Sequence, residues 1–120
     1  MSTYTVVIPN WKPTSVNKLL GSHWAAARKK KSADMEMVGA HVASAGIPKA
    51  TGKRRLSFEV SIKGRGRRPD PDNFLKVLCD GLVKFGVLVD DSSKWIEYGK
   101  MNVVSGDKLE TIITLEDVTD

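Results

Sequence analysis

The chain has 120 residues, of which 41% are hydrophobic and 28% charged, and its formal net charge is +5. That size fits one domain over residues 1–120 with a core that needs no disulfide. The sequence excludes a membrane-spanning helix, since no apolar run approaches the ~20 residues required, and it excludes a disulfide or zinc framework, since Cys79 is the only cysteine.

Tyr4-Thr5-Val6-Val7-Ile8 is a β-rich run stopped by Pro9. Residues 10–21 contain Pro13 and read as a loop. Ser22 can cap a helix from His23 to Ala45, with Gly46 beyond its end. Trp24, Lys31, Met35, Val38, Val42 and Ala45 share one face of that helix, which marks Trp24 as a core residue and leaves most of the charge of Arg28 to Lys31 toward solvent. Leu56, Phe58, Val60 and Ile62 alternate with polar residues, as in a strand with one buried face. A flexible basic loop follows, Gly64 to Pro69. Asp72 or Asn73 can cap a second helix whose inner face is Phe74, Leu78, Leu82 and Phe85, with Gly86 at its end. Cys79 falls in this apolar pattern and reads as a buried thiol. Val87-Leu88-Val89 is a short strand or a buried loop, and Asp90-Asp91-Ser92-Ser93 is turn chemistry. Trp95 to Val104 and Leu109 to Glu116 read as strands joined in a hairpin at Ser105-Gly106-Asp107, with Leu109, Thr111, Ile113 and Leu115 on one face. The β-α-β-α-β-β order predicts an α+β fold, a mixed sheet of about four strands with two helices packed on it. Met1-Ser2-Thr3-Tyr4 lacks the features of a signal peptide, so a cytoplasmic location is expected.

Charge is divided unevenly along the chain. Residues 1–68 hold 14 Lys/Arg against 3 Asp/Glu, whereas residues 69–120 hold 5 against 11. The basic part fits a polyanion, and the acidic part suggests a separate role. The two meet at Arg67-Arg68-Pro69-Asp70-Pro71-Asp72-Asn73-Phe74-Leu75-Lys76, with Asp80 and Asp90-Asp91 further on. Prolines at 69 and 71 stiffen the loop that carries Asp70 and Asp72. Carboxylates bind Mg²⁺ together with waters and phosphate. Two such ions ~4 Å apart can stabilise both oxygens of a phosphodiester displacement. Lys76, four residues after Asp72, can neutralise charge on the reacting phosphate. Each residue also has a plainer reading: Asp72 as a helix cap, Asp90-Asp91 as a turn, Lys76 as the i,i+4 partner of Asp80. A calcium loop fits poorly, because Leu75 stands where such a loop starting at Asp70 needs glycine and Gly81 where it needs a carboxylate.

Asp70-x-Asp72-Asn73-x-x-Lys76, Asp80-x-Leu82 and Asp90-Asp91, together with Pro13-Thr14-Ser15-Val16-Asn17 near the start, resemble the RusA-type Holliday junction resolvases over nearly the whole chain. The resemblance implies a Mg²⁺-dependent endonuclease, with Mn²⁺ as a possible substitute, that acts as a homodimer on four-way DNA junctions and makes paired nicks. The family occurs in bacteria, phages and prophages and serves recombination and repair. The resemblance makes Asp70, Asp72 and Asp91 the catalytic metal ligands, Asp90 a lesser neighbour and Lys76 the catalytic lysine. Arg28, Lys29, Lys30 and Lys31, with Arg65, Arg67 and Arg68, are the candidate DNA contacts. Trp11 and Trp24 lie in the basic half, where the alternative to core packing is stacking on unpaired bases; Trp95 reads as core or dimer interface. His23 at the helix start reads as capping or surface, and His41 as exposed. The competing hypotheses are a non-catalytic nucleic-acid-binding module, whose aspartates only cap and turn, and a metal nuclease acting on flaps or forks.

Overall fold

The computed structural model describes residues 2–15, 21, 23–64 and 69–118. Its elements are β1 (Thr3–Pro9), α1 (Trp24–Ser44), β2 (Arg54–Lys63), α2 (Asp72–Lys84), β3 (Ile96–Gly106) and β4 (Glu110–Asp117). The fold is α+β, with a mixed sheet in the order β1-β4-β2-β3. β4 is antiparallel to both β1 and β2, and β2 and β3 are parallel. Ser22 and Asn17, and with them Arg65, Arg67 and Arg68, lie outside the described residues.

Period-two alternation builds the inner face of the sheet. Val6 and Ile8, Leu56, Phe58 and Val60, and Thr111, Ile113 and Leu115 are buried, while their neighbours along each strand are not. Val38 and Val42 of α1 and Phe74, Leu78 and Leu82 of α2 close over that face in one core. Thr111 is tolerated inside because its hydroxyl donates to the Trp11 carbonyl at 2.9 Å.

The expected hairpin between β3 and β4 does not form, because β2 lies between them. The Ser105-Gly106-Asp107 turn reverses the chain, as its residues suggest, but reversal does not fix which strands are neighbours. β2 and β3 are joined through α2, and a β-α-β connection sets its two strands side by side and parallel. The turn therefore passes over the end of β2, where the Gly64 N–H donates to the Gly106 carbonyl at 3.0 Å. Val87 and Leu88 are buried in a loop rather than a strand.

Both helices stop where expected. Gly46 and Gly86 follow the last turns with φ of +70° and +80°, a region that glycine enters without steric cost. At the starts, His23 takes one of its two expected roles, while α2 departs from expectation. The Nδ1 of His23 accepts the Ala25 N–H and caps α1. Pro71 occupies the cap of α2 and offers no side-chain bond, so neither Asp72 nor Asn73 is the cap. The inner face of α1 is also shorter than its periodicity suggests. Val38 and Val42 are buried, but Ala45 is exposed and Trp24 is 66% exposed. His41 is half-buried, its Nδ1 2.9 Å from the Met37 carbonyl.

The helices meet at glycines. A Cβ on Gly81 would stand 3.3 Å from that of Val38, and one on Gly39 would fall 2.3 Å from the Phe85 ring. Phe85, expected in the core, instead lies 37% exposed over Gly39. Alanine at a mid-helix position gains about 1 kcal/mol over glycine, whereas overpacking costs about 1–3 kcal/mol. Gly39→Ala is therefore expected to destabilise the wild type slightly and to stabilise a Phe85→Ala background by about 1 kcal/mol. A double-mutant cycle by urea denaturation measures the coupling.

Candidate active site

α2 forms because its apolar residues recur at helical spacing, and burying Phe74, Val77, Leu78 and Leu82 turns another stripe outward. Asp72, Lys76 and Asp80, spaced by four, form that stripe. Asp72 is exposed in the first turn, where the helix dipole favours a carboxylate. Asp70 is exposed just before it, and its backbone carbonyl accepts the Asn73 N–H at 3.0 Å. The stiff Pro-Asp-Pro-Asp segment thus presents both carboxylates to solvent at the head of α2.

Asp80 lies about 12 Å further along the helix axis. It is the junction of the site: Oδ2 meets the Lys31 ammonium at 2.7 Å and Oδ1 meets that of Lys76 at 3.3 Å. Lys76 is thus the i,i+4 partner of Asp80, while its side chain stays 61% exposed. The Lys31 contact joins α1 to α2 and brings the basic run of α1 to the acidic stripe.

The loop after α2 returns along the helix. The Val87 and Leu88 N–H groups both donate to the Leu82 carbonyl. Asp91 then lines one cleft with Asp80, Val83 and Lys84 of α2. Asp90 spends one carboxylate oxygen on the Asp91 N–H at 2.9 Å and so holds the turn. Asp90 and Asp91 are exposed and line a cleft of about 390 Å³ with Lys31, Met35, Asp80 and Lys84.

Two neighbours of Asp91 register its charge. Cys79 is buried, as expected, and burial pushes its thiol up to about 11; Asp80 and Asp91 add to the rise, and Lys76 opposes it. Burial also raises the Tyr98 phenol, with Cys79 and Asp91 contributing. A thiol that ionises near 11 stays protonated at neutral pH and is a poor nucleophile. Native protein at pH 7.5 is expected to resist iodoacetamide, while urea-unfolded chain reacts readily; mass spectrometry of the Cys79 peptide checks this. Linkage runs the same way. The folded state favours the neutral thiol, so this contribution to stability is intact below pH 9 and is lost between about 9 and 11.

The structure therefore brings Asp80, Asp90 and Asp91 around one cleft, ties Lys76 and Lys31 to Asp80, and sets Asp70 and Asp72 at the head of the same helix. Hard carboxylate oxygens suit a Mg²⁺-type ion, and none of the four sequence-predicted aspartates is buried. Among the described residues, no three His, Cys, Asp or Glu side chains converge closely enough to hold a metal ion. Of the candidate DNA contacts, Arg28 and Lys29 are exposed and Lys30 and Lys31 half-buried.

Sequence reasoning missed Asp34. It is 7% exposed on the inner side of α1, and its Oδ2 accepts the Thr14 N–H at 2.8 Å. This fastens the Pro13-Thr14 segment to α1. A carboxylate between Ala33 and Met35 is the signal available in the sequence, but its partner is 20 residues away.

None of the described helices is long and apolar enough to cross a membrane. No curated protein matches the chain. The family model described as endodeoxyribonuclease RusA matches residues 14–116 of the 120, from the segment that Asp34 fastens into the last strand. By that match the chain belongs to the RusA family of endodeoxyribonucleases.

Proposed function

We propose that the chain is a divalent-metal-dependent endonuclease that resolves four-way DNA junctions by paired nicks, acting as a homodimer in the cytoplasm. Family membership supports the reaction class. One observation carries the assignment of residues: Asp72 has no capping role and lies exposed in line with Lys76 and Asp80, on the helix whose cleft Asp91 also lines.

In this reading Asp70, Asp72 and Asp91 would hold the metal, Mg²⁺ or in its place Mn²⁺, once drawn together around it, and Asp90 would support them by fixing the turn. When bound, the ion would supply Lewis-acid stabilisation of the phosphodiester and a more acidic bound water. The chain's own residues do the rest. The stiff 69–72 segment keeps two carboxylates close despite their repulsion. Lys76 offers its ammonium to the scissile phosphate, and its bond to Asp80 limits where the long side chain can reach. The exposed basic residues of α1, with Arg65, Arg67 and Arg68, neutralise flanking phosphates without reading sequence. Two active sites related by a two-fold axis suit symmetric nicks in a pseudo-symmetric junction.

Cleavage of an end-labelled four-way junction and of a linear duplex, in Mg²⁺ and in EDTA, tests the reading. Metal-dependent paired nicks in the junction alone are expected. Tight junction binding with no cutting in Mg²⁺ or Mn²⁺ would identify a binding module instead. Preferential cutting of flaps or forks would reassign the substrate.

A further inference from the structure

The first three turns of α1 contain no fully buried residue. The first buried residue of the helix is Asp34, so residues 24–33 form an arm about 15 Å long that flanks the core rather than entering it. The arm carries four consecutive cations, Arg28 to Lys31, and no Asp or Glu. At its tip stands Trp24, 66% exposed, where sequence periodicity had placed it in the core. Two side chains frame the indole. The Arg28 guanidinium lies 5.8 Å from its centroid, and the His23 ring lies 5.8 Å away on a 33° tilt.

A large exposed aromatic ring amid cations matches two chemistries, a lipid surface and a nucleobase. The arm favours the second. Apart from Trp24 its apolar residues are all alanines, Ala25, Ala26, Ala27 and Ala33, so it has no apolar face to insert into a bilayer. A nucleobase needs only one π-face, with cations nearby for the phosphates on either side. The position is informative too. Trp24, Arg28 and Lys31 follow one stripe of α1, and Lys31 ends it in contact with Asp80. Trp24 is seven residues, about 10 Å, from that contact, roughly three phosphate steps along one strand of a duplex.

We propose that Trp24 is a stacking platform for an unpaired nucleobase, holding the strand a few nucleotides from the acidic stripe. The inference rests on the nuclease reading above and adds to it a contact that distinguishes unpaired from paired DNA.

Wild type, Trp24→Ala and Trp24→Phe, as full chains in EDTA, are titrated against fluorescein-labelled oligothymidine and against a strand of equal length made of abasic nucleotides. The exposed position and the high helix propensity of alanine mean that the variants fold, which circular dichroism confirms. Trp24→Ala is expected to weaken oligothymidine binding about tenfold, the usual scale for losing one stacked base. Phenylalanine should restore most of that affinity, and binding of the abasic strand should not change. Unchanged oligothymidine affinity in Trp24→Ala would overturn the proposal. An equal loss on the abasic strand would also overturn it, as would a loss accompanied by a changed sedimentation coefficient, which would make Trp24 a contact between copies of the chain. A wild type that cuts junctions while Trp24→Ala binds normally refutes the platform alone. A wild type that binds no DNA refutes both readings.

Discussion

Replacing Asp72 with asparagine is expected to lower junction cleavage on the order of 10³-fold while leaving junction binding intact. The proposed metal would lose a charged ligand, and the stabilisation an ion gives a phosphodiester transition state is worth several kcal/mol. The fold loses much less. Asp72 makes no capping bond and is the one acidic residue in the first turn of α2, so its neutralisation costs about 0.3–1 kcal/mol of dipole interaction. Binding should hold or improve, because a negative charge facing phosphates has been removed. Single-turnover cleavage in Mg²⁺, with binding measured in EDTA and a urea melt of the same preparation, separates the three quantities. A variant that cuts normally would remove Asp72 from the site. A variant that cannot fold would show that its carboxylate is structural.

Arg54→Met is expected to lower stability by about 3 kcal/mol, the largest effect on folding of any polar substitution considered. Arg54 is 3% exposed at the start of β2. Its guanidinium donates to Asp117 Oδ1 at 2.8 Å and to the carbonyls of Pro48 and Val87, each at 2.9 Å. It also lies 5.0 Å from the centroid of Tyr4. One side chain thus ties together the loop before β2, the loop after α2, the end of β4 and the start of β1. Methionine replaces the stem but leaves the buried Val87 carbonyl without that donor and Asp117 without its partner. Asp117 is 39% exposed, so water recovers part of its loss, and the estimate stays at the lower end for a broken buried pair. Urea denaturation measures the effect. A loss under 1 kcal/mol would mean that water replaces the guanidinium. Because the Val87 bond anchors the loop leading to Asp91, cleavage should also fall in this variant at temperatures where it remains folded.

The half-exposed pair Arg55 and Glu116, across β2 and β4, is a useful contrast. Arg55 also reaches Glu97 on β3, yet its side chain is 41% exposed, and such pairs contribute little. Adjacent arginines in the sequence therefore differ in weight because the strand turns one inward and the other outward.

The sequence by itself determined the local structure. Alternation in Leu56-Phe58-Val60 and in Thr111-Ile113-Leu115 gave strands with one buried face, and Gly46 and Gly86 marked the helix ends, because period and punctuation are encoded over a few residues. The Asp72-Lys76-Asp80 stripe was legible for the same reason, since helical spacing alone puts residues four apart on one side. Tertiary structure decided what each face meets. It placed β2 between β3 and β4, where the turn residues suggested a hairpin, because the crossover through α2 fixes β2 and β3 as parallel neighbours. It left Trp24 outside, because helical periodicity continues past the point where the core ends at Asp34. It chose Asp80 rather than solvent for Lys31, paired Asp34 with Thr14, and buried Arg54 among carbonyls far apart in the chain. Burial and pairing depend on contacts between residues distant in sequence, and no local pattern carries that information.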